Sequence, residues 1–247
     1  MKVLEMVGRR RGGLTNKEIS QELQIATSSS SYILSRLERE GYLERNAVTG
    51  RYEIGLKILA IAHGALRQMD FRTVADPVLQ GLTSETKLEA VIGVLEQDRL
   101  MVVSRVPSGH FPKADVDTGS EFPAHATAIG KVLLAHLPEE QIQSLVEKKS
   151  WPKLTSRTIT SIQDLLAELE RVRRRGYSVS DEEQRLGLRA VGAPIVDCQG
   201  AVRAAVAAVG TTKQPIWRET SAVVELVKAA GHEISRLVRF NRIGSTH

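Results

Sequence analysis

Few side chains in this sequence have the type and spacing that catalysis needs. Glu182 and Glu183 are adjacent carboxylates, as in a general acid–base pair, but no neighbouring group would position a substrate beside them. The one cysteine, Cys198, falls in a predicted turn and has no basic neighbour to activate it as a nucleophile. The six histidines lack the spacing of metal ligands, and the glycines within residues 8–13 do not follow a strand, as those of a phosphate-binding loop would. We therefore expect no catalytic residue, metal or cofactor, and a surface or loop role for the two glutamates.

A stretch of hydroxyl and basic side chains is better suited to nucleic acid. Residues 27–36 are rich in serine and end with an arginine. Hydroxyls donate to or accept from bases and phosphates, and arginine can bind guanine through two hydrogen bonds. Two later arginines stand where contact with phosphates or the minor groove is expected. The alternatives are a serine-rich linker and solvated surface arginines. The candidate DNA-binding residues are Thr27, Ser28, Ser29, Ser31, Tyr32, Ser35, Arg36, Arg45 and Arg51.

The elements that would position these side chains form a helix-turn-helix pattern. Thr15-Asn-Lys-Glu18 has the spacing of a capping box, which predicts a helix over 16–23. A second helix is predicted from an N-cap at Thr27 or Ser28 to about Glu40. In a helix-turn-helix, the N-terminal residues of the second helix contact base edges in the major groove. The positions predicted to be buried on the second helix are Ile33, Leu34 and Leu37.

Two residues depart from the usual helix-turn-helix pattern. Gln24 stands in the turn, where glycine is common, and Ser30 stands where the second helix usually buries an apolar side chain. The next segment of the chain nevertheless supports the pattern, because residues 42–45 and 51–54 are strand candidates around a turn-rich stretch. A hairpin directly after a recognition helix is a wing.

The segment after the wing is predicted to be a helix that joins two copies of the chain. Residues 55–69 carry apolar side chains on more than one helical face, which requires burial. The same helix of a second subunit is the natural partner. A dimer would present two recognition helices to a palindromic double-stranded DNA operator.

Length and charge agree with a two-domain DNA-binding protein. The chain has 247 residues and a net charge of +5, and residues 1–69 hold eleven Lys/Arg against seven Asp/Glu, so four of the five excess positive charges lie there. No apolar run is long enough to span a membrane, and no signal peptide is visible. With one cysteine there is no intrachain disulfide. We expect a cytoplasmic protein.

The sequence resembles the isocitrate lyase regulator (IclR) family of bacterial transcription factors over essentially its whole length. The N-terminal strings that carry the resemblance are Leu14-Thr-Asn-Lys-Glu-Ile19, Leu34-x-x-Leu37-x-x-x-Gly41-Tyr-Leu43 and Gly50-Arg-Tyr52-x-Ile-Gly55. The C-terminal strings are His125-Ala-Thr-Ala-Ile-Gly-Lys-Val-Leu-Leu-Ala135, Leu154-Thr-x-x-Thr158-Ile-Thr160, Arg175-Gly-Tyr177, Glu182-Glu183 and Gly187-Leu-Arg-Ala-Val-Gly-Ala-Pro-Ile195.

The resemblance implies an α+β protein in three parts. Residues 1–54 would be a winged helix-turn-helix, residues 55–69 a linker and dimerisation helix, and residues 70–247 a GAF-like α/β domain that binds a small-molecule effector. It also implies a homodimer or a homotetramer.

Residue patterns in the C-terminal part independently fit an α/β domain. Apolar runs separated by short polar turns predict antiparallel strand pairs, and capped amphipathic stretches predict helices. The predicted helices are 71–86, 124–137, 161–175 and 215–240, and the predicted strands are 88–96, 100–106, 190–196 and 202–209.

By resemblance, the effector pocket is lined by three segments: the loop into the His125–Gly130 helix start, the Ser180–Glu183 stretch, and the strand faces at Ala190 and Ala207. At the positions of Ser180, Ala190 and Ala207 the family often has aspartate, cysteine and serine. This pocket is therefore expected to be less polar and to bind an effector with apolar or aromatic character. Ala190 and Ala207 are alternatively plain core residues, and His125 either holds an effector carboxylate or only caps and packs. The candidate effector-binding residues are His125, Ala126, Thr127, Gly130, Ser180, Asp181, Ala190 and Ala207.

The function that the sequence favours is therefore an effector-controlled DNA-binding regulator. One alternative is an enzyme built on the α/β domain, which the lack of a nucleophile, metal or cofactor motif disfavours. Another is a winged helix that binds protein instead of DNA.

Overall fold

The chain divides into two units, Met1–Met69 and Asp70–His247. The computed structural model describes residues 2–68, 71–109, 116–148 and 151–243. No helix within the described ranges is long and apolar enough to cross a membrane.

The first unit is a winged helix-turn-helix. The capping box forms as predicted, because the backbone N–H of Glu18 donates to Thr15 Oγ1 (3.2 Å) and the backbone N–H of Thr15 donates to Glu18 Oε2 (2.7 Å). The two strands pair antiparallel with Leu43 opposite Ile54. The elements in chain order are α1 (Lys2–Gly8), α2 (Asn16–Leu23), α3 (Thr27–Arg39), β1 (Leu43–Arg45), β2 (Tyr52–Ile54) and α4 (Lys57–Gln68).

Two details of the helix-turn-helix differ from the sequence prediction. The N-cap of α3 is Ala26, which makes no side-chain cap, so Thr27 and Ser28 lie inside the first turn. Ile33 is 37% exposed because it lies on the outer side of α3, whereas Leu34 is buried. The turn itself is closed by Gln24, which adopts the left-handed conformation (φ 55°) at the C-cap of α2.

A small apolar core holds the first unit together. Leu14 and Tyr52 exchange backbone hydrogen bonds, so the connection between α1 and α2 is joined to the wing. Ser30 lies against this core at 1% exposure, and its hydroxyl has no hydrogen-bond partner in the described part of the chain. The core consists of Val3, Val7, Leu14, Ile19, Leu34, Leu43 and Tyr52.

The second unit is an α/β domain built on a six-stranded antiparallel sheet with the strand order β5-β4-β3-β8-β7-β6. Its strands are β3 (Glu89–Glu96), β4 (Arg99–Val106), β5 (Glu121–Pro123), β6 (Ser178–Asp181), β7 (Leu188–Val196) and β8 (Val202–Thr211). Its helices are α5 (Phe71–Thr86), α6 (Ala128–Ala135), α7 (Glu139–Lys148), α8 (Ile162–Arg175) and α9 (Thr220–Ile243), with 3-10 turns at Ala124–Ala126 and Pro215–Glu219.

Helices cover both faces of this sheet. On one face the start of α6 approaches Gly192, where an added Cβ would lie 3.0 Å from the Ala128 carbonyl carbon. On the other face Gly231 of α9 lies against Ala193. Because successive side chains of a strand point to opposite faces, Gly192 and Ala193 mark the two sides of β7.

Three short elements of the second unit were absent from the sequence prediction, namely β5, β6 and α7. The predicted 124–137 helix is also interrupted: a 3-10 turn ends at Ala126, and Thr127 is the N-cap of α6. This break places the first turn of α6 over the sheet.

Candidate functional site

The outer face of α3 presents the predicted DNA-reading side chains to solvent. Ser28, Ser29, Ser35 and Arg36 are exposed, and Tyr32 is 69% exposed. These side chains lie outside the unit's core and are open to solvent.

Ser31 has a structural hydrogen bond instead of a free hydroxyl. Asn16 Nδ2 donates to Ser31 Oγ (2.8 Å) and lies 3.4 Å from the Thr27 carbonyl oxygen. Because Asn16 begins α2, this contact fixes the first turn of α3 relative to α2. Ser31 and Thr27 therefore help to orient the recognition helix.

The two wing arginines have different surroundings. Arg51 is held within the unit, because its Nη1 donates to the Gly13 carbonyl oxygen (2.8 Å) and its Nη2 to Glu18 Oε1 (3.3 Å). Arg45 is exposed, with its guanidinium 5.7 Å from the centre of the Tyr52 ring. Arg45 is thus free to meet an anion, whereas Arg51 braces the wing against α2.

The second unit contains a small cavity of about 70 Å³, which opens to solvent, between the sheet and the start of α6. Its wall is mostly apolar. The lining residues are Glu89, Val91, Leu100, Val102, Val116, Phe122, Thr127, Ala128, Ile129, Ser180, Gln184, Leu188, Arg189, Ala190, Ala207 and Val209.

Small side chains on adjacent strands create this space. Ser180, Ala190, Val209 and Glu89 are consecutive cross-strand partners on β6, β7, β8 and β3, and they form one row of the cavity floor. The neighbouring row includes Ala207. Larger residues at the alanine positions would fill the volume.

The start of α6 forms the opposite wall. Thr127 Oγ1 accepts a hydrogen bond from the Gly130 N–H (3.0 Å). Ser178 and Ser180 of β6 donate to the carbonyl oxygens of Ala128 (2.5 Å) and Ala126 (2.9 Å), which fixes this segment to the sheet. The first N–H groups of a helix have no acceptor within it, and they favour an anion.

Four of the eight predicted effector-binding residues line the cavity: Thr127, Ser180, Ala190 and Ala207. The other four, His125, Ala126, Gly130 and Asp181, are outside its lining.

His125 and Asp181 are engaged elsewhere in the unit. His125 is fully buried, its Nε2 lies 3.1 Å from the Pro152 carbonyl oxygen, and burial lowers its pKa. Asp181 accepts from Arg157 (2.8 Å) and Arg189 (2.9 Å) on the other side of β6.

A buried ion pair lies beside the cavity and involves Glu183, for which a surface or loop role was expected. Lys131 of α6 is 1% exposed, and its Nζ donates to Glu183 Oε1 (2.6 Å) and to the Val179 carbonyl oxygen (2.6 Å). Burial raises the pKa of Glu183, while Lys131 opposes that rise. Glu183 lies in the loop after β6, which is one of the two expected placements, but its carboxylate is a buried ion-pair partner instead of a surface group because this loop folds inward against α6.

Sequence reasoning missed most of the cavity wall, including Glu89, Val91, Phe122 and Gln184. The alternation of side chains along residues 88–96 could have indicated which face Glu89 and Val91 share, but not which strands lie beside them. Within the described residues, no group of three or more His, Cys, Asp or Glu side chains could hold a metal ion.

Both units match known protein families. Residues 1–47 match the IclR helix-turn-helix domain, and residues 63–236 match the family described as "Bacterial transcriptional regulator IclR C-terminal". Among curated proteins, the transcriptional regulator KdgR of Escherichia coli (strain K12) is 29% identical over 234 residues, which is 94% of this chain and 88% of KdgR.

Two solved structures with similar folds contain aromatic acids. An IclR homologue from Microbacterium hydrocarbonoxydans, complexed with 4-hydroxybenzoate, has a TM-score of 0.84 with 96% of each chain covered; at 22% identity this likeness concerns the fold. The inducer-binding domain of a PobR double mutant from Acinetobacter, complexed with 3-hydroxybenzoic acid, is 32% identical, with a TM-score of 0.62, and covers 67% of this chain and 98% of that domain.

Proposed function

The chain belongs to the IclR family of bacterial transcriptional regulators, and we propose that a small aromatic acid in the cavity of its second unit controls operator binding by its first. The observation that carries the proposal is a mostly apolar cavity, open to solvent, in the same chain as a winged helix-turn-helix.

The proposed operator contacts come from α3 and the wing. Tyr32 and Arg36 project from the exposed face of α3 toward base edges, with Ser28 and Ser29 in its first turn. Arg45 supplies a wing contact to the DNA backbone. Arg51 acts indirectly, by holding the wing in place.

We infer that the functional form is a homodimer, or a tetramer built from dimers. Three apolar residues of the α4 region, Leu56 (80%), Leu59 (68%) and Ile61 (53%), are exposed in the single chain. Exposed apolar side chains of this kind mark an interface, and a second copy of the helix would bury them. A two-fold dimer fits a palindromic operator.

The proposed effector carries a carboxylate and an apolar ring. The carboxylate binds at the first turn of α6, where helix N–H groups and the helix dipole favour an anion. The ring lies over Ala190 and Ala207, which are too small to fill the space. The aromatic acids bound by the two similar structures support this class of effector.

An effector changes operator affinity only if it binds two arrangements of the protein unequally. We propose that the linker segment, residues 55–69, carries the difference between them by changing the spacing of the two recognition helices. No catalytic step is part of this function.

A mobility-shift assay with operator DNA tests the proposal. Specific binding should weaken steeply as salt rises, because each phosphate contact contributes about −0.9 to the slope of log K against log salt. Adding an aromatic acid should change the affinity at fixed salt. A protein that binds no DNA, or whose DNA affinity no aromatic acid changes while calorimetry shows that one binds, contradicts the proposal.

A further inference from the structure

The floor of the cavity contains a buried carboxylate. Glu89 begins β3, pairs with Val209 across β8, and shares a sheet row with Ala190 and Ser180. Its side chain is 3% exposed, and the other three residues of the row also line the cavity. A charged group is expensive to bury against apolar walls, so its partners decide what it can do.

Arg105 neutralises this carboxylate from the side. Arg105 Nη2 lies 2.6 Å from Glu89 Oε1, and Arg105 Nε lies 3.3 Å from Oε2. Arg105 Nη1 also lies 3.2 Å from Asp117 Oδ1, but that second carboxylate is 83% exposed and its charge is screened by solvent. Within the buried part of the cluster, Arg105 therefore balances the charge of Glu89, so Glu89 repels an anionic ligand less than a lone carboxylate would. Each carboxylate oxygen has two lone pairs, so Glu89 can still accept a hydrogen bond from a ligand.

The other charged residue of the cavity lining, Arg189, points its side chain away from the cavity. Arg189 precedes Ala190 on β7, so its side chain points to the opposite face of the sheet. There it donates to Asp181 (2.9 Å) and lies 5.8 Å from the centre of the Trp217 ring. Among the described lining residues, Glu89 is thus the ionised side chain on the cavity's own face.

We propose that Glu89 selects an aromatic acid with a ring hydroxyl, by accepting a hydrogen bond from that hydroxyl. This inference rests on the proposed aromatic-acid effector. The ligand carboxylate avoids Glu89 and binds at the first turn of α6, so the ring points its far edge toward β3. A ligand without a donor at that edge covers Glu89 with apolar atoms and leaves its remaining lone pairs unsatisfied.

The strand spacing is consistent with this orientation. Ala190 and Glu89 lie in one row and are separated by two inter-strand steps, about 10 Å at the usual spacing of about 4.8 Å per step. Ala190 is two residues from Gly192, which contacts the start of α6. A benzene ring with a polar group at each end bridges a gap of this size.

Calorimetric titration of the full-length protein tests the inference with five probes: benzoate, 3- and 4-hydroxybenzoate, and 3- and 4-methoxybenzoate. A hydrogen bond to an ionised acceptor supports a preference of about 10- to 100-fold for at least one hydroxybenzoate over its methyl ether. Benzoate, which is smaller and lacks the donor, should also bind more weakly than that hydroxybenzoate, which separates the hydrogen bond from a steric effect of the methyl group.

A double variant, Glu89→Met with Arg105→Met, removes the acceptor without leaving a buried charge unpaired. It should bind the hydroxybenzoate and its methyl ether within about threefold of each other, a gap of under about 1 kcal/mol. Glu96→Gln, at the exposed end of the same strand, is the matched control and should keep the wild-type preference.

The outcomes separate this inference from the proposed function. Tight but equal binding of hydroxybenzoates and methyl ethers by the wild type overturns the role of Glu89 and leaves the aromatic effector standing. A preference that persists in the double variant also overturns that role. Failure of all five probes to bind overturns both the role of Glu89 and the aromatic effector. The wild-type series needs no variant, so the inference stays falsifiable if the double variant does not fold.

Discussion

Replacing Lys131 with methionine should destabilise the second unit by an amount that grows with pH. Methionine fills similar space but removes the positive charge, so Glu183 loses its counter-charge inside the core. The carboxyl group also has Glu168 nearby, which lies 3.9 Å from Lys131 Nζ and is a like charge. The folded state of the variant then requires the Glu183 carboxyl group to be protonated.

The size of the effect depends on the free energy needed to protonate Glu183 at the working pH. The ordinary pKa of a glutamate is 4.5, and burial raises that of Glu183. A group with a raised pKa in the folded state contributes stability at low pH that is lost as pH rises. At about 1.36 kcal/mol per pH unit, holding the proton costs about 4 kcal/mol at pH 7.5 and about 1.4 kcal/mol at pH 5.5.

Urea unfolding followed by tryptophan fluorescence measures this change in the intact protein. Both tryptophans, Trp151 and Trp217, belong to the second unit, so the signal reports that unit alone. With a slope of about 2 kcal/mol per molar urea, the midpoint of Lys131→Met should fall by about 2 M at pH 7.5 and by about 0.7 M at pH 5.5.

Two further variants make the result specific to the buried pair. Adding Glu183→Gln to Lys131→Met removes the proton requirement, so the pH dependence of the loss should disappear. Lys228→Met removes an exposed lysine that lies 3.4 Å from Glu225, and it should change stability by less than about 1 kcal/mol. Equal losses at the two pH values for Lys131→Met, or a loss no larger than that of Lys228→Met, would refute the reasoning.

Three other outcomes are expected. Ser30→Ala should stabilise the first unit by about 1 kcal/mol, because it removes a buried hydroxyl without a partner in the described part of the chain; hydrogen exchange measures this, with the exposed Ser35→Ala as control. Arg36→Ala should relax sequence preference at one operator position, whereas Arg51→Ala should weaken all sequences alike by releasing the wing, as measured by binding to operator variants. Ala207→Leu should fill the cavity and abolish the response to aromatic acids while operator affinity remains, as seen by mobility shift.

Contrary results would be equally informative. Unchanged or faster exchange in Ser30→Ala would mean that its hydroxyl has a partner in solution. Identical binding profiles for the two arginine variants would contradict the assignment of a base contact to Arg36 and of a structural role to Arg51. An unimpaired response to aromatic acids in Ala207→Leu would place the effector outside this cavity.

The helix-turn-helix could be predicted because its signals are local. The capping box at Thr15 and Glu18 lies within one turn of helix, and it forms as expected. The burial of Ile33 was predicted wrongly, because the sequence does not show on which side of the apolar face of α3 the core ends. The brace made by Arg51 was not predictable, since its partner Glu18 is 33 residues away.

The cavity of the second unit could be predicted only in part for the same reason. Resemblance to a family indicated Ala190 and Ala207, but Glu89 reaches the cavity through the order of the strands in the sheet. That order places β3 beside β8, which lies more than a hundred residues later in the chain. The edge strands β5 and β6 pair with β4 and β7, which are near them in sequence, but at three and four residues they are too short to show a clear alternation of side chains.

Adjacent residues of β7 serve separate purposes, and this separation bears on how the protein can evolve. Arg189 holds its ion pair on one side of the sheet, while Ala190 faces the cavity on the other. A mutation at residue 190 can change the shape of the cavity without disturbing the contacts that Arg189 makes on the other side of the strand. Chains with this architecture can therefore vary the cavity wall by small steps, each of which leaves a folded protein.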